Sequence, residues 1–136
     1  MRPTPVDAPP IRVLLVDDDR DDYVLTAAML GELPGKPFAL DWVPDFDAGV
    51  ADLRAGGHDV YLVDYRLGAH DGLELLAAAR AVGNLSPIIL LTGQGERETD
   101  LAAMQAGAAD YLEKGRLDGT ILERSIRYAL LQKRYG

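Results

Sequence analysis

Five short apolar runs, each followed by a stretch with helical spacing, divide this chain, and few folds accommodate that alternation. Ile11 to Val16 is β-branched and apolar, short enough for a buried strand. Beyond it Tyr23, Val24, Ala27, Ala28 and Leu30 recur at helical spacing until Gly31 and Pro34-Gly35 end the pattern. Phe38 to Val43 reads as a second strand, and Asp45 or Asp47 can cap a helix ending near Ala55, before Gly56-Gly57. Val60 to Val63 is a third strand, ending at Asp64, and Asp71-Gly72 opens a Leu-Ala-rich helix over Leu73–Val82. Pro87 to Leu91 is a fourth strand, leading through Thr92-Gly93-Gln94-Gly95 into a helix from about Arg97 to Gln105. Gly107 precedes a short fifth strand, Ala109 to Leu112, ending near Lys114; the last helix runs from about Leu117 to Lys133.

Strands that alternate with helices pair in parallel through right-handed crossovers, which leaves a sheet covered on both faces. The nearly all-apolar strands agree, because a parallel strand is buried on both sides. The expected fold class is therefore α/β, doubly wound. A length of 136 residues suits one domain, and 48% hydrophobic with 26% charged residues describes an ordinary globule. The longest apolar runs are far too short to cross a bilayer. Met1 to Pro10 carries four prolines and no apolar core, so it reads as a flexible tail rather than a secretory signal, and a cytoplasmic location is expected. The absence of cysteine excludes disulfides, thiolate metal sites and cysteine nucleophiles.

Charge is unevenly placed. Up to Glu113 there are 8 basic and 20 acidic residues, a balance of −12; from Lys114 onward there are 6 and 2, a balance of +4. The acidic excess argues against direct binding to nucleic acid, which needs a basic face. Five acids fall in the six-residue window Asp17-Asp18-Asp19-Arg20-Asp21-Asp22. Asp19, Asp21 and Asp22 read as capping and first-turn acids of the helix that follows, favoured by its dipole.

In doubly wound sheets the ligand site lies beyond the carboxyl ends of the strands. Asp17 and Asp18 follow the first strand, Asp64 the third, Thr92 the fourth and Lys114 the fifth. Three carboxylates, a hydroxyl and an ammonium thus converge on one edge. Close carboxylates repel one another unless a cation shares their site, and hard oxygen ligands without His or Cys suit Mg²⁺. An aspartate can attack phosphorus to give an acyl phosphate, with the metal, hydroxyl and lysine neutralising the phosphoryl oxygens.

At these residues the sequence resembles the receiver domain of two-component response regulators. The segments that carry the resemblance are Val13-Leu14-Leu15-Val16-Asp17-Asp18-Asp19, Asp59-Val60-Tyr61-Leu62-Val63-Asp64, Ile88-Ile89-Leu90-Leu91-Thr92-Gly93 and Gly107-Ala108-Ala109-Asp110-Tyr111-Leu112-Glu113-Lys114. The resemblance covers residues 11–134 and implies a five-stranded parallel sheet of order 2-1-3-4-5. It implies Asp64 as phosphoacceptor, with Mg²⁺ held by Asp17, Asp18, Asp64 and the backbone carbonyl of Arg66. Thr92 and Lys114 would contact the phosphoryl group, and Thr92 with Tyr111 would form the switch. A sensor histidine kinase or phosphotransfer protein would supply the phosphoryl group. An output protein or fused output domain would read it, with a homodimer as a further possibility and no membrane partner. Such a domain is not an enzyme beyond its own phosphorylation and dephosphorylation.

Two positions depart from the family pattern. Gly115 follows Lys114 where proline is usual, so the Lys-Gly bond is expected to be trans. Gly68 stands in the loop after Asp64 where proline is common, and both changes are expected to loosen loops beside the site. Arg66 is expected to influence the lifetime of the acyl phosphate. In the last helix Leu122, Ile126, Ala129 and Lys133 fall near heptad spacing, read chiefly as packing on the domain's own sheet, while Arg124, Arg127, Lys133 and Arg134 make the helix basic. The last helix, with the fourth helix and fifth strand, is the expected output face, in either a single-domain regulator or part of a longer protein. The alternatives are a haloacid-dehalogenase-type phosphohydrolase and a pseudo-receiver that only binds partners. Against the hydrolase, Asp21 stands where its Asp-x-Asp-x-Thr/Val motif has a hydroxyl or valine.

Overall fold

The computed structural model describes residues 9–93 and 102–135. Its strands are β1 (Ile11–Val16), β2 (Phe38–Val43), β3 (Val60–Asp64), β4 (Arg66–Leu67), β5 (His70–Asp71), β6 (Ile88–Thr92) and β7 (Asp110–Glu113). Helices α1 (Arg20–Gly31), α2 (Phe46–Ala55) and α3 (Gly72–Ala81) are followed by a helical segment at 102–105 (α4) and by α5 (Gly119–Tyr135). The rest of the helix expected from Arg97, and nearly all of the expected tail, lie outside the described residues.

Five strands form a parallel sheet of order β2-β1-β3-β6-β7, which is the expected 2-1-3-4-5 order with the two short strands β4 and β5 set aside. Alternation along each central strand divides the core. Leu14 and Val16, Tyr61 and Val63, Ile88 and Leu90 meet Leu53 of α2, Leu75, Leu76 and Ala79 of α3 and Ala103 of α4. Val13 and Leu15, Val60 and Leu62, Ile89 and Leu91 meet Leu30 of α1 and Leu122, Ile126 and Ala129 of α5. The apolar stripe of α5 is thus core, whereas Lys133 at its end is exposed.

Local chemistry sets the helix starts. Asp19, Asp45 and Asp71 cap α1, α2 and α3, accepting from the backbone N–H of Asp21, Ala48 and Glu74. The choice between Asp45 and Asp47 falls to Asp45. Asp47 lies in the first turn, where it favours the dipole.

The loop after Asp64, which the glycine was expected to loosen, takes a regular conformation. Arg66 pairs with Asp71 and Leu67 with His70 in a small antiparallel hairpin. Gly68, the first of its two turn residues, has φ +63°, where two-residue hairpin loops favour glycine. The expected trans Lys114–Gly115 bond is observed, within a 3₁₀ turn over Lys114–Arg116.

A polar cluster lies toward the amino end of β3, with His58 and Tyr61 buried and Asp41 exposed. His58 places one ring nitrogen 2.8 Å from Asp52 Oδ1 and the other 2.8 Å from Asp41 Oδ2. The hydroxyl of the fully buried Tyr61 donates to the same Asp52 oxygen at 2.8 Å. Burial and the Asp52 carboxylate together raise the Tyr61 pKa far above its ordinary value, so the hydroxyl stays protonated and donating. Tyr61→Phe should cost about 1 kcal/mol, because Asp52 keeps its bond to His58. Asp52→Ala should cost roughly 2–3 kcal/mol, because it strands both partners in the interior. Chemical denaturation of the two variants at equal temperature checks the order, and equal losses would count against this account.

Candidate functional site

The chain doubles back between β1 and β3, since β2 lies on one side of β1 and β3 on the other. At this switch point the residues just past the strand ends face a shared crevice. Asp17, following β1, is fully buried, and Asp64, the last residue of β3, is nearly so. Asp18 is exposed at the rim. One carboxylate oxygen from each of the three lies within 4.8 Å of the other two.

Lys114 enters from the far side of the sheet, beyond β7. Its Nζ stands 3.1 Å from Asp64 Oδ2 and 3.3 Å from Asp17 Oδ2, and donates a hydrogen bond to Asp22 Oδ2. Asp22 is therefore a member of the site and not only a first-turn acid of α1. Sequence reasoning missed it by assigning the second half of the acid run to capping alone. Asp18 precedes the extended cap residue Asp19, so no helical spacing links it to Asp22, and the sequence carried no signal that set Asp22 apart from Asp21.

The electrostatics follow from crowding. Burial, reinforced by the neighbouring carboxylates of Asp22 and Asp64, raises the Asp17 pKa to about 7, against the opposing pull of the Asp19 N–H and Lys114. Burial also raises Asp64, and Lys114 and the N–H of Arg66 offset only part of it. Asp22 moves the other way: burial would raise it, but its hydrogen bond with Lys114 and its contact with Asp17 lower it overall. Lys114 resists its own desolvation and is raised by Asp22, Asp64 and Asp17, so it remains charged.

Among the described residues the Lys114 ammonium contacts three carboxylates, Asp17, Asp22 and Asp64, with Asp18 beside them. Asp17 Oδ1 accepts from the N–H of Asp19 at 2.9 Å, whereas its buried Oδ2, 3.3 Å from Lys114 Nζ, accepts no hydrogen bond. An orphaned buried carboxylate oxygen beside two further carboxylates fits a hard divalent cation such as Mg²⁺.

The remaining expected site residues take distinct places. The N–H of Arg66 donates to Asp64 Oδ1 at 3.3 Å, so its backbone lies at the site while its guanidinium sits 5.9 Å from the Tyr65 ring centre. Thr92 ends β6, buried, with its hydroxyl directed to the Leu112 carbonyl at 3.4 Å. Tyr111, on β7, is half-buried against the core layer of α2, α3 and α4.

Trp42 supports the acid loop from below. Its Nε1 donates to the Asp17 carbonyl at 2.7 Å, and its ring stacks on Tyr23 of α1 at 5.0 Å. Sequence reasoning assigned it no role, since a strand tryptophan reads as core.

An acidic trio and a lysine at the switch point of a five-stranded parallel sheet define the class to which comparison with known proteins also leads. Residues 13–125 match the response regulator receiver domain, and the chain belongs to that family. It is 32% identical over 126 residues to the transcriptional regulatory protein QseB of Haemophilus influenzae, covering 93% of this chain and 55% of that protein. The chain spans about half the length of the named relatives it matches. The signal receiver domain of a putative Luxo repressor protein from Vibrio parahaemolyticus shares the fold, with a TM-score of 0.82 at 20% identity, over 93% of this chain and 95% of that one. The receiver domain of a sensor histidine kinase from Pseudomonas aeruginosa PAO1 is 31% identical, with a TM-score of 0.75, over 90% of this chain and 98% of that one. That receiver carries a magnesium ion coordinated in its active site cleft. Neither the phosphohydrolase nor the pseudo-receiver alternative gains support from these relatives.

Asp17 gives the site a pH signature. With its folded pKa raised from 3.8 to about 7, the folded protein holds a proton that the unfolded chain releases. The stabilisation this provides is complete below pH 3.8 and is lost as pH rises through 7. In the absence of divalent cations, Asp17→Asn should therefore gain stability relative to the wild type between pH 5 and pH 8, by on the order of 2 kcal/mol. Thermal melts at the two pH values check this, and a gain of equal size at both would refute it.

Proposed function

We propose that Asp64 accepts a phosphoryl group from the phosphohistidine of a sensor kinase or phosphotransfer protein, in a reaction that requires Mg²⁺. The observation that carries this reading is the convergence of Asp17, Asp18 and Asp64 within 4.8 Å, with Lys114 Nζ 3.1 Å from Asp64. Asp17, Asp18, Asp64 and the Arg66 carbonyl would hold the metal. Bound there, it supplies positive charge that screens the incoming phosphoryl oxygens from the carboxylates.

The chain's own groups do the rest. An Asp64 oxygen forms the new bond to phosphorus as the bond from phosphorus to the donor's imidazole nitrogen breaks, and the electron pair leaves with the imidazole. Lys114 is held charged by Asp22 and Asp17, and its ammonium pairs with the phosphoryl oxygens. Thr92 turns its hydroxyl from the Leu112 carbonyl toward the same group. Tyr111, on the neighbouring strand, follows Thr92, so that one added phosphate biases a two-state surface. The chemistry is confined to this domain's own phosphorylation and dephosphorylation. We assign residues 11–134 to the receiver, with residues 1–10 as a tail. Contact is made with an output partner or a fused output domain through α4, β7 and α5, in the cytoplasm, either as a monomer or as a homodimer.

Acetyl phosphate with Mg²⁺ should label the protein once per chain, at Asp64, and Asp64→Asn or removal of Mg²⁺ should abolish labelling. Continuous turnover of a small phosphomonoester would instead favour a hydrolase, and failure to bind beryllofluoride with Mg²⁺ would favour a binding module. Arg66→Ala should change the acyl-phosphate half-life by severalfold or more, read by loss of label after the donor is removed; equal half-lives would remove Arg66 from the account.

A further inference from the structure

Gly68 departs from the proline common in receivers, and the segment it occupies is a hairpin with defined contacts. Leu67 is nearly fully buried, and the N–H of Gly72 donates to the Tyr65 carbonyl at 2.7 Å, closing the base of the β4–β5 hairpin. Asp71 caps α3, which ties one side of the hairpin to that helix. The same strand, β5, is also tied to α2. The ring of His70 lies 4.0 Å from that of Phe46, the first residue of α2, at an interplanar angle of 15°. His70 Nδ1 is also 2.8 Å from Glu74 Oε2.

We propose that His70 and Phe46 are positioning residues for the phosphoacceptor site, their stacked rings clamping the hairpin that carries Arg66. The proposal rests on the reading of Asp64 and Arg66 given above. Arg66 pairs with Asp71, the residue next to His70, and its N–H bonds Asp64 Oδ1. The hairpin cannot shift without moving that donor and the Arg66 carbonyl together. An aromatic stack between the α2 corner and the hairpin fixes this backbone from outside the ligand set, as second-shell hydrogen bonds do for other metal ligands. Proline could not do the same work here. Gly68 holds φ at +63°, and the proline ring holds φ near −65°.

The test uses the full chain. Amide hydrogen exchange over residues 65–71 reads the clamp directly. A Mg²⁺ titration followed by the fluorescence of Trp42, the only tryptophan in the chain and bonded to the Asp17 carbonyl, reads its effect on the site. His70→Ala should speed exchange in this segment and weaken Mg²⁺ binding about tenfold, with the melting temperature little changed. His70→Phe keeps the stack without the Glu74 contact and should restore both to within about twofold. Gly68→Pro, which installs the residue usual in the family, should reproduce the loss instead of repairing the loop. Wild-type exchange in His70→Ala, or a failure of His70→Phe to restore it, would overturn the proposal. A wild-type protein that shows no response to Mg²⁺ would instead overturn the reading of the site, and exchange alone would still decide the clamp.

Discussion

Among the described residues, the carboxylates of Asp17, Asp18, Asp22 and Asp64 crowd the carboxyl edge of this sheet around the Lys114 ammonium, and the surrounding structure is arranged around that crowding. Asp17 and Asp64 can be this close and this buried only because Lys114 reaches both from beyond β7 while Asp22 steadies it from α1. Such a cluster does not arise from local preference. It requires β1, β3 and β7 to end at one level and α1 to start close enough to contribute a side chain from its first turn. The strand requirements are met for β1 and β3 by buried apolar strands that the two helical layers hold in place, and for β7 by its pairing with β6.

That scaffold is stiff where the chemistry needs it. Alternate residues of β1, β3 and β6 anchor in opposite core layers, so the strand ends cannot slide without disturbing both. Trp42 bonds the Asp17 carbonyl and stacks on Tyr23, fixing the acid loop between β2 and α1. The hairpin after Asp64 extends the same stiffness above the sheet.

Much of this was legible in the sequence, for identifiable reasons. The strands were plain because parallel burial on both faces leaves almost no polar residue in Val13–Val16, Val60–Val63 or Ile88–Leu91. The positions of Asp17, Asp64, Thr92 and Lys114 followed from those strand ends alone. Asp22 was hidden because a first-turn aspartate has a sufficient local explanation, and its partner Lys114 lies 92 positions away. The β4–β5 hairpin was hidden as well. Two pairs of residues are too short for any periodic signal, and its fastening depends on Phe46, which belongs to a different βα unit. The Arg66 guanidinium and Tyr65 form a local pair that a sequence pattern cannot distinguish from two solvated side chains.

The polar cluster of His58, Asp41, Asp52 and Tyr61 has a consequence for how the molecule comes apart. It secures the sheet toward the amino end of β3, where every contact described is between opposite or complementary partners. The carboxyl edge carries the crowded like charges. Local opening is therefore expected first at the loops around the acids, the end of the sheet where like charges crowd.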